Sequence, residues 1–150
     1  MNASSLLERV DAMPDDAYGL LLFGRTARLS VAVCVVGRRI GWATSTRLPW
    51  RLTDLIALRA GVPRSVVHVA YQQAAVAGDR VGEWLVRHGE IEPGELRMCL
   101  HEQASHALAL ISPAMGPPVW TPADGDPPEH TLSTARLRAS ISPAPRALAG

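Results

Sequence analysis

The sequence predicts an α+β fold: a small antiparallel sheet of hairpin-connected strands, then a bundle of about four helices, then an irregular Pro-rich tail. Three observations carry that prediction. Residues 29–36, LSVAVCVV, place Leu29, Val31, Val33 and Val35 on one face of a period-2 run rich in β-branched residues, the pattern of a strand. From residue 52 onward, apolar residues recur at helical spacing between Gly and Pro stops. The strand signals precede the helices instead of alternating with them, so the elements are segregated and βαβ units are not expected.

Ser5 followed by Glu8 fits an S-x-x-E capping box, opening a helix that carries Leu6, Leu7 and Val10 and stops at Pro14. Leu20, Leu21, Leu22 and Phe23 form a first strand before a break at Gly24 and Arg25. In the run that follows, Ala32, Cys34 and Val36 make the second face small or apolar too, so a central strand covered on both sides is expected. Gly37 and Arg38 supply a turn, and Arg39 to Thr44 return as a strand containing Ile40, Trp42 and Ala43. About three strands follow from these runs.

Residues 44–48 are expected to be a loop. The next helix starts at Pro49 or Thr53, carries Leu52, Leu55, Ile56 and Arg59, and stops at Gly61. Pro63 begins another, with Val66, Val67, Ala70, Ala74 and Ala77, ended by Gly78. Residues 79–103, DRVGEWLVRHGEIEPGELRMCLHEQ, then read as two helices joined by a chemically specified turn. Val81, Trp84, Leu85 and His88 fall at helical spacing, and Gly89 suits a left-handed helix stop. Pro93 suits a first helical position, and Glu95 lies in the electropositive first turn. Leu96, Leu100, Gln103 and Ala107 continue along one face toward Ile111.

After residue 111 the composition shifts. Eight of the twelve prolines lie there, among Gly, Ser, Thr and Asp, which favours irregular chain. Val119 and Trp120 fit one short strand, and residues 131–142 a strand or a weak helix. The expected division is an α+β domain over 1–111 and a partly disordered tail, or last strand, over 112–150.

At 150 residues the chain supports one domain, and a formal net charge of +1 without a clustered basic face argues against nucleic acid as a partner. Arg25, Arg28, Arg38 and Arg39 read as a solvated sheet edge. The N-terminus lacks the basic and apolar regions of a signal peptide, and the longest apolar runs, 20–23 and 31–36, are too short to span a bilayer. A cytoplasmic protein with no membrane span is expected. In that compartment Cys34 and Cys99 are expected to be reduced and buried.

His101, Glu102 and His106 make H-E-x-x-x-H, one residue longer than the H-E-x-x-H zinc motif. A separation of five residues turns the two histidines about 140° apart on a helix, so they do not share one metal. The G-x-x-x-x-G-K-[ST], G-x-G-x-x-G and G-x-S-x-G motifs are absent from the sequence. The carboxylate pairs Asp15–Asp16 and Asp124/Asp126 sit beside Pro or Gly and read as turn residues. No catalytic residue, cofactor or metal is expected. Trp50 and Arg51, in the loop after Pro49, are candidate interface residues, because Trp and Arg are favoured at interface hot spots. A tryptophan folded over the core is the alternative.

Two family resemblances arise. Gly19, Leu20, Arg25, Thr26, Leu29, Val31, Gly37, Ile40 and Ala43, followed by the helices and by residues 78–111, resemble the PATAN-type domain of bacterial signalling proteins. That resemblance covers roughly residues 1–120. It implies a non-catalytic protein–protein interaction or scaffolding module in signal transduction. Its partner would be a response regulator or a pilus or secretion component, and a homo-oligomer is compatible with it. Residues 80–103 are similar to the cyclic-di-GMP-binding motif in the N-terminal domain of type II secretion and pilus assembly ATPases. The shared spacing is R-V-G-x-x-L-V-x-x-G-x-I-x-x-x-x-L-x-x-x-L-x-x-Q. It implies ligand contacts from Arg80, Gly82, Leu85, Gly89, Leu96, Leu100 and Gln103, with the arginine reading guanine O6 and N7. The implied alternative function is a cyclic-di-GMP sensor regulating pilus, secretion or motility machinery. The ligand-binding form of that family carries two motifs in tandem, whereas this sequence carries one, so helix packing is the default role of the same positions.

Overall fold

The computed structural model describes residues 1–24 and 30–141. Its elements run α1 (Ala3–Asp11), β1 (Tyr18–Phe23), β2 (Val31–Val36), β3 (Arg39–Ser45), α2 (Leu52–Arg59), α3 (Arg64–Ala77), α4 (Val81–Arg87), α5 (Pro93–Ala109), β4 (Val119–Pro122), β5 (Leu132–Ser133) and α6 (Thr134–Ile141). The fold is α+β. Arg25, Thr26, Arg28 and Leu29, named above, lie outside the described residues, as do residues 142–150.

The sheet is antiparallel and has five strands, in the order β4-β1-β2-β3-β5, where the hairpin signals alone implied about three. Its register sets Phe23 opposite Val31, Leu21 opposite Val33, and Val33 opposite Ala43. All of these, with Val35 and Ile40, are fully buried. A bulge at Cys34 and Val35 keeps β3 in step. The alternate residues Leu20, Ala32, Val36, Trp42 and Thr44 are half-buried, and Leu22 is exposed. β2 is therefore central, as expected, but only one of its faces is completely covered. The half-covered face of β3 is where the groove described below lies.

Both additional strands come from the Pro-rich segment. β4 pairs with β1, setting Trp120 opposite Leu21, and β5 pairs with β3, setting Leu132 opposite Ile40. α6 then packs against α1 and α5 and buries Leu137 completely. The Thr134 hydroxyl and the Arg138 guanidinium both bond the Asp11 carboxylate of α1. The segment beyond residue 111 thus covers the two outer edges of the hairpin sheet, which would otherwise present unpaired backbone groups.

α1 starts one turn earlier than the S-x-x-E pattern implied. Asn2 is the cap: Ser5 N–H donates to Asn2 Oδ1 at 2.9 Å and Asn2 N–H donates to Ser5 Oγ at 2.9 Å. Ser5 is the third helical residue. The stop at Gly89 is as expected. Its φ is +72°, Glu90 N–H donates to Leu85 C=O at 2.9 Å, and Gly89 N–H donates to Val86 C=O at 3.1 Å. Among the described residues no helix is long and apolar enough to cross a membrane.

Candidate functional site

The site begins with a close helix contact. A Cβ on Gly82 would lie 2.5 Å from Leu96 Cδ1, so the absence of a side chain lets the first turn of α4 settle against α5. With the helices this close, Leu96, Leu100 and Gln103 of α5 face Trp42 and Thr44 of β3 across a groove of about 420 Å³. Leu52 and Val81 add apolar wall, and the chain between β4 and β5 contributes Pro128 and His130. The lining is predominantly apolar.

Five of the seven residues implied by the nucleotide-binding resemblance meet here: Arg80, Gly82, Leu96, Leu100 and Gln103. The other two do not. Leu85 is fully buried in the core, and Gly89 ends α4 on an exposed turn.

The polar members are engaged with the fold. Arg80 Nη2 donates to the Tyr18 hydroxyl at 3.0 Å and to the Asp126 carbonyl at 3.0 Å, while Nη1 lies 3.8 Å from the Glu83 carboxylate. Glu83, 6 % exposed, accepts from Glu129 N–H at 2.7 Å and lies 3.7 Å from Arg87. Arg87 in turn pairs with Asp79 at 2.6 Å. This network ties the start of α4 to β1 and to the C-terminal segment. Gln103, also 6 % exposed, donates from Nε2 to Thr44 Oγ1 at 3.4 Å and links α5 to β3. Reading a guanine edge takes two free guanidinium donors, and here Arg80 directs Nη2 at protein oxygens instead.

Trp50 and Arg51 lie away from the groove lining. Trp50 is half-buried and meets the His106 ring of α5 edge-on, with centroids 5.4 Å apart and planes at 84°. Arg51 is exposed at the start of α2, where its N–H donates to the Asp54 carboxylate at 2.8 Å. His101 looks elsewhere from His106: its Nε2 lies 3.1 Å from Ser140 Oγ. Among the described residues no cluster of three or more His, Cys, Asp or Glu is arranged to hold a metal.

Cys34 and Cys99 are free and buried. Burial pushes both thiols up to about 11; the Arg80 charge opposes this at Cys34, while Glu102 and Glu95 add to it at Cys99.

Sequence reasoning left out Trp42, Thr44, Leu52, Val81, Pro128 and His130 as site residues. Trp42 and Thr44 were available from the alternation of β3, which sets them on the face opposite the buried Ala43. Pro128 and His130 carry no local signal, because a connection between two edge strands brings them in. Comparison with protein-family models, curated proteins and solved structures gives no match to this chain. The functional reading therefore rests on the groove.

Proposed function

We propose that the chain is a non-catalytic protein–protein interaction module of bacterial signal transduction, and that the β3–α4–α5 groove receives an apolar side chain of its partner. The observation that carries this is the groove itself. Its walls are Trp42, Leu52, Val81, Leu96 and Leu100, while Arg80, Glu83 and Gln103 beside them already have partners in the fold and His130 Nδ1 is buried without one. An apolar group entering there leaves water without breaking the bonds of Arg80, Glu83 or Gln103, which is the favourable case for association. Tryptophan is also the residue type most often found to dominate such contacts. The order of elements, similar to PATAN-type domains, supports the signalling context.

The test is a pull-down from bacterial lysate with mass spectrometry, run in parallel with Leu52→Arg, which puts a charge on the half-buried groove wall. A partner held by the parent chain and lost from a folded Leu52→Arg supports the proposal. The same partner held equally by both, or no partner together with robust turnover of a small molecule, overturns it.

A second reading, a cyclic-di-GMP sensor, is favoured by the gathering of Arg80, Gly82, Leu96, Leu100 and Gln103 on one groove. It requires Arg80 to leave Tyr18 and Asp126. Calorimetric titration decides it: no heat at high-micromolar dinucleotide, or equal binding by Arg80→Ala, removes this reading.

A further inference from the structure

A separate cavity of about 340 Å³ is framed by Arg39 of β3, Arg97 and His101 of α5, and Arg136 of α6. Thr131 and Ser133 add hydroxyl groups, and Gly94 brings in the first turn of α5. No carboxylate lines it among the described residues.

Among the described residues Arg9, Arg39, Arg47, Arg51, Arg97 and Arg136 form no ion pair, and three of these six line this one cavity. Like charges lining one cavity repel one another, and the repulsion becomes attraction for an anion placed between them. One of the three is also held in position. Arg39 Nε donates to Thr131 Oγ1 at 2.7 Å and Nη2 to Thr131 C=O at 3.1 Å, leaving the rest of its donor fork uncommitted. In the first turn of α5, where Pro93 has no N–H, Gly94 supplies a backbone donor at the cavity, and the Glu95 carboxylate is turned back to accept Glu92 N–H at 2.9 Å.

We propose that this cavity is a binding site for a phosphate monoester. Three guanidinium groups, the Thr131 and Ser133 hydroxyls and the Gly94 N–H offer more donors than a carboxylate can use, and they suit an anion with three terminal oxygens. The volume lies at the small end of the range for small-molecule sites, roughly 300–1,000 Å³. It admits the phosphate with the group that carries it, either a free nucleotide or a phosphorylated side chain of another protein. The proposal is independent of the groove and of its partner.

The experiment is calorimetric titration of the full chain at low salt with AMP and with a phosphoserine peptide. Adenosine and the unphosphorylated peptide serve as controls. At least one phosphorylated probe binds saturably while its control does not, and the binding shifts the Gly94 backbone amide in a two-dimensional NMR spectrum. AMP as the tighter probe identifies a small metabolite; the peptide as the tighter probe identifies a phosphorylated protein. Arg97→Ala and Arg136→Ala each weaken binding about tenfold or more, the effect of losing a charge-assisted contact. Neither side chain belongs to an ion pair of the fold, so thermal unfolding of both variants stays close to the parent. Arg64→Ala, on α3, leaves affinity unchanged. Absence of saturable binding by both phosphorylated probes, or full binding in the folded Arg97→Ala/Arg136→Ala double variant, overturns the proposal.

Discussion

The Arg80 guanidinium donates to the Tyr18 hydroxyl at 3.0 Å, and the same nitrogen reaches the Asp126 carbonyl at 3.0 Å. One nitrogen thus joins the start of α4, the first residue of β1 and the chain between β4 and β5. Tyr18→Phe removes the hydroxyl and keeps the ring. Arg80 retains Asp126, while the hydroxyl's own long bond to the Asp126 carbonyl, 3.5 Å, is also lost, so the expected cost is about 0.5–1.5 kcal/mol, measured by urea unfolding.

Gly19 has a stricter requirement. A Cβ there would lie 2.5 Å from the Thr121 carbonyl oxygen and 2.8 Å from the Trp120 ring. The oxygen belongs to the backbone of the paired strand and cannot move aside without opening the β1–β4 ladder. Gly19→Ala is expected to cost about 1–3 kcal/mol, the range for forced overpacking. Hydrogen exchange should show protection lost across β4 first, with the β2–β3 pairing retained.

Much of this architecture could be read from local pattern, and the parts that could not have a common physical cause. β2 and β3 announce themselves by alternation, and α3 and α4 by the glycines that stop them, Gly78 and Gly89. Val119 and Trp120 fit a strand, and residues 131–142 a strand or a weak helix, but at four and two residues β4 and β5 are too short to show what they pair with. Their pairing depends on strands about a hundred residues earlier in the chain. The α1 cap was misplaced because Asn2, three residues before Ser5, is itself a good cap, and Ser5 bonds back to it as the third helical residue. For the groove, the spacing from Arg80 to Gln103 brought five of its lining residues to attention. Much of that spacing encodes packing: Gly82 against Leu96, and Leu85 and Ile91 in the core. The arginine cavity was invisible for another reason. Arg39 read as a solvated sheet edge, and only the fold sets it beside Arg97 and Arg136.

The docking of α6 should weaken in acid. The Thr134 hydroxyl first, and Arg138 second, hold the Asp11 carboxyl below its ordinary value of 3.8. A folded value below the unfolded one means the stabilisation is fully present above the ordinary carboxylate pKa of about 3.9 and is lost as pH falls through the lowered value. Asp11 is 43 % exposed, so the effect is modest. NMR of the α6 amides below about pH 4 should show increasing exchange. Asp11→Asn should abolish that acid dependence.

The two cysteines should resist alkylation in the native state. Cys34 is 2 % and Cys99 1 % exposed, and burial raises both thiols to about 11, so at pH 8 neither supplies an accessible thiolate. Iodoacetamide labelling followed by mass spectrometry should give unmodified protein in buffer and modification at both residues in urea. Labelling of either residue at the rate of a free thiol would contradict its burial.

Residues 79–103 form a packing unit tied to β1 and to the C-terminal segment through Arg80, and urea unfolding of Arg80→Ala with and without cyclic-di-GMP tests this most directly. The expected result is a loss of about 1–3 kcal/mol in the variant, as for a charge-assisted hydrogen-bond donor removed from its partners. The dinucleotide should leave the parent midpoint where it was. Unchanged stability in Arg80→Ala, with a dinucleotide that raises the midpoint of the parent and not of the variant, would contradict it.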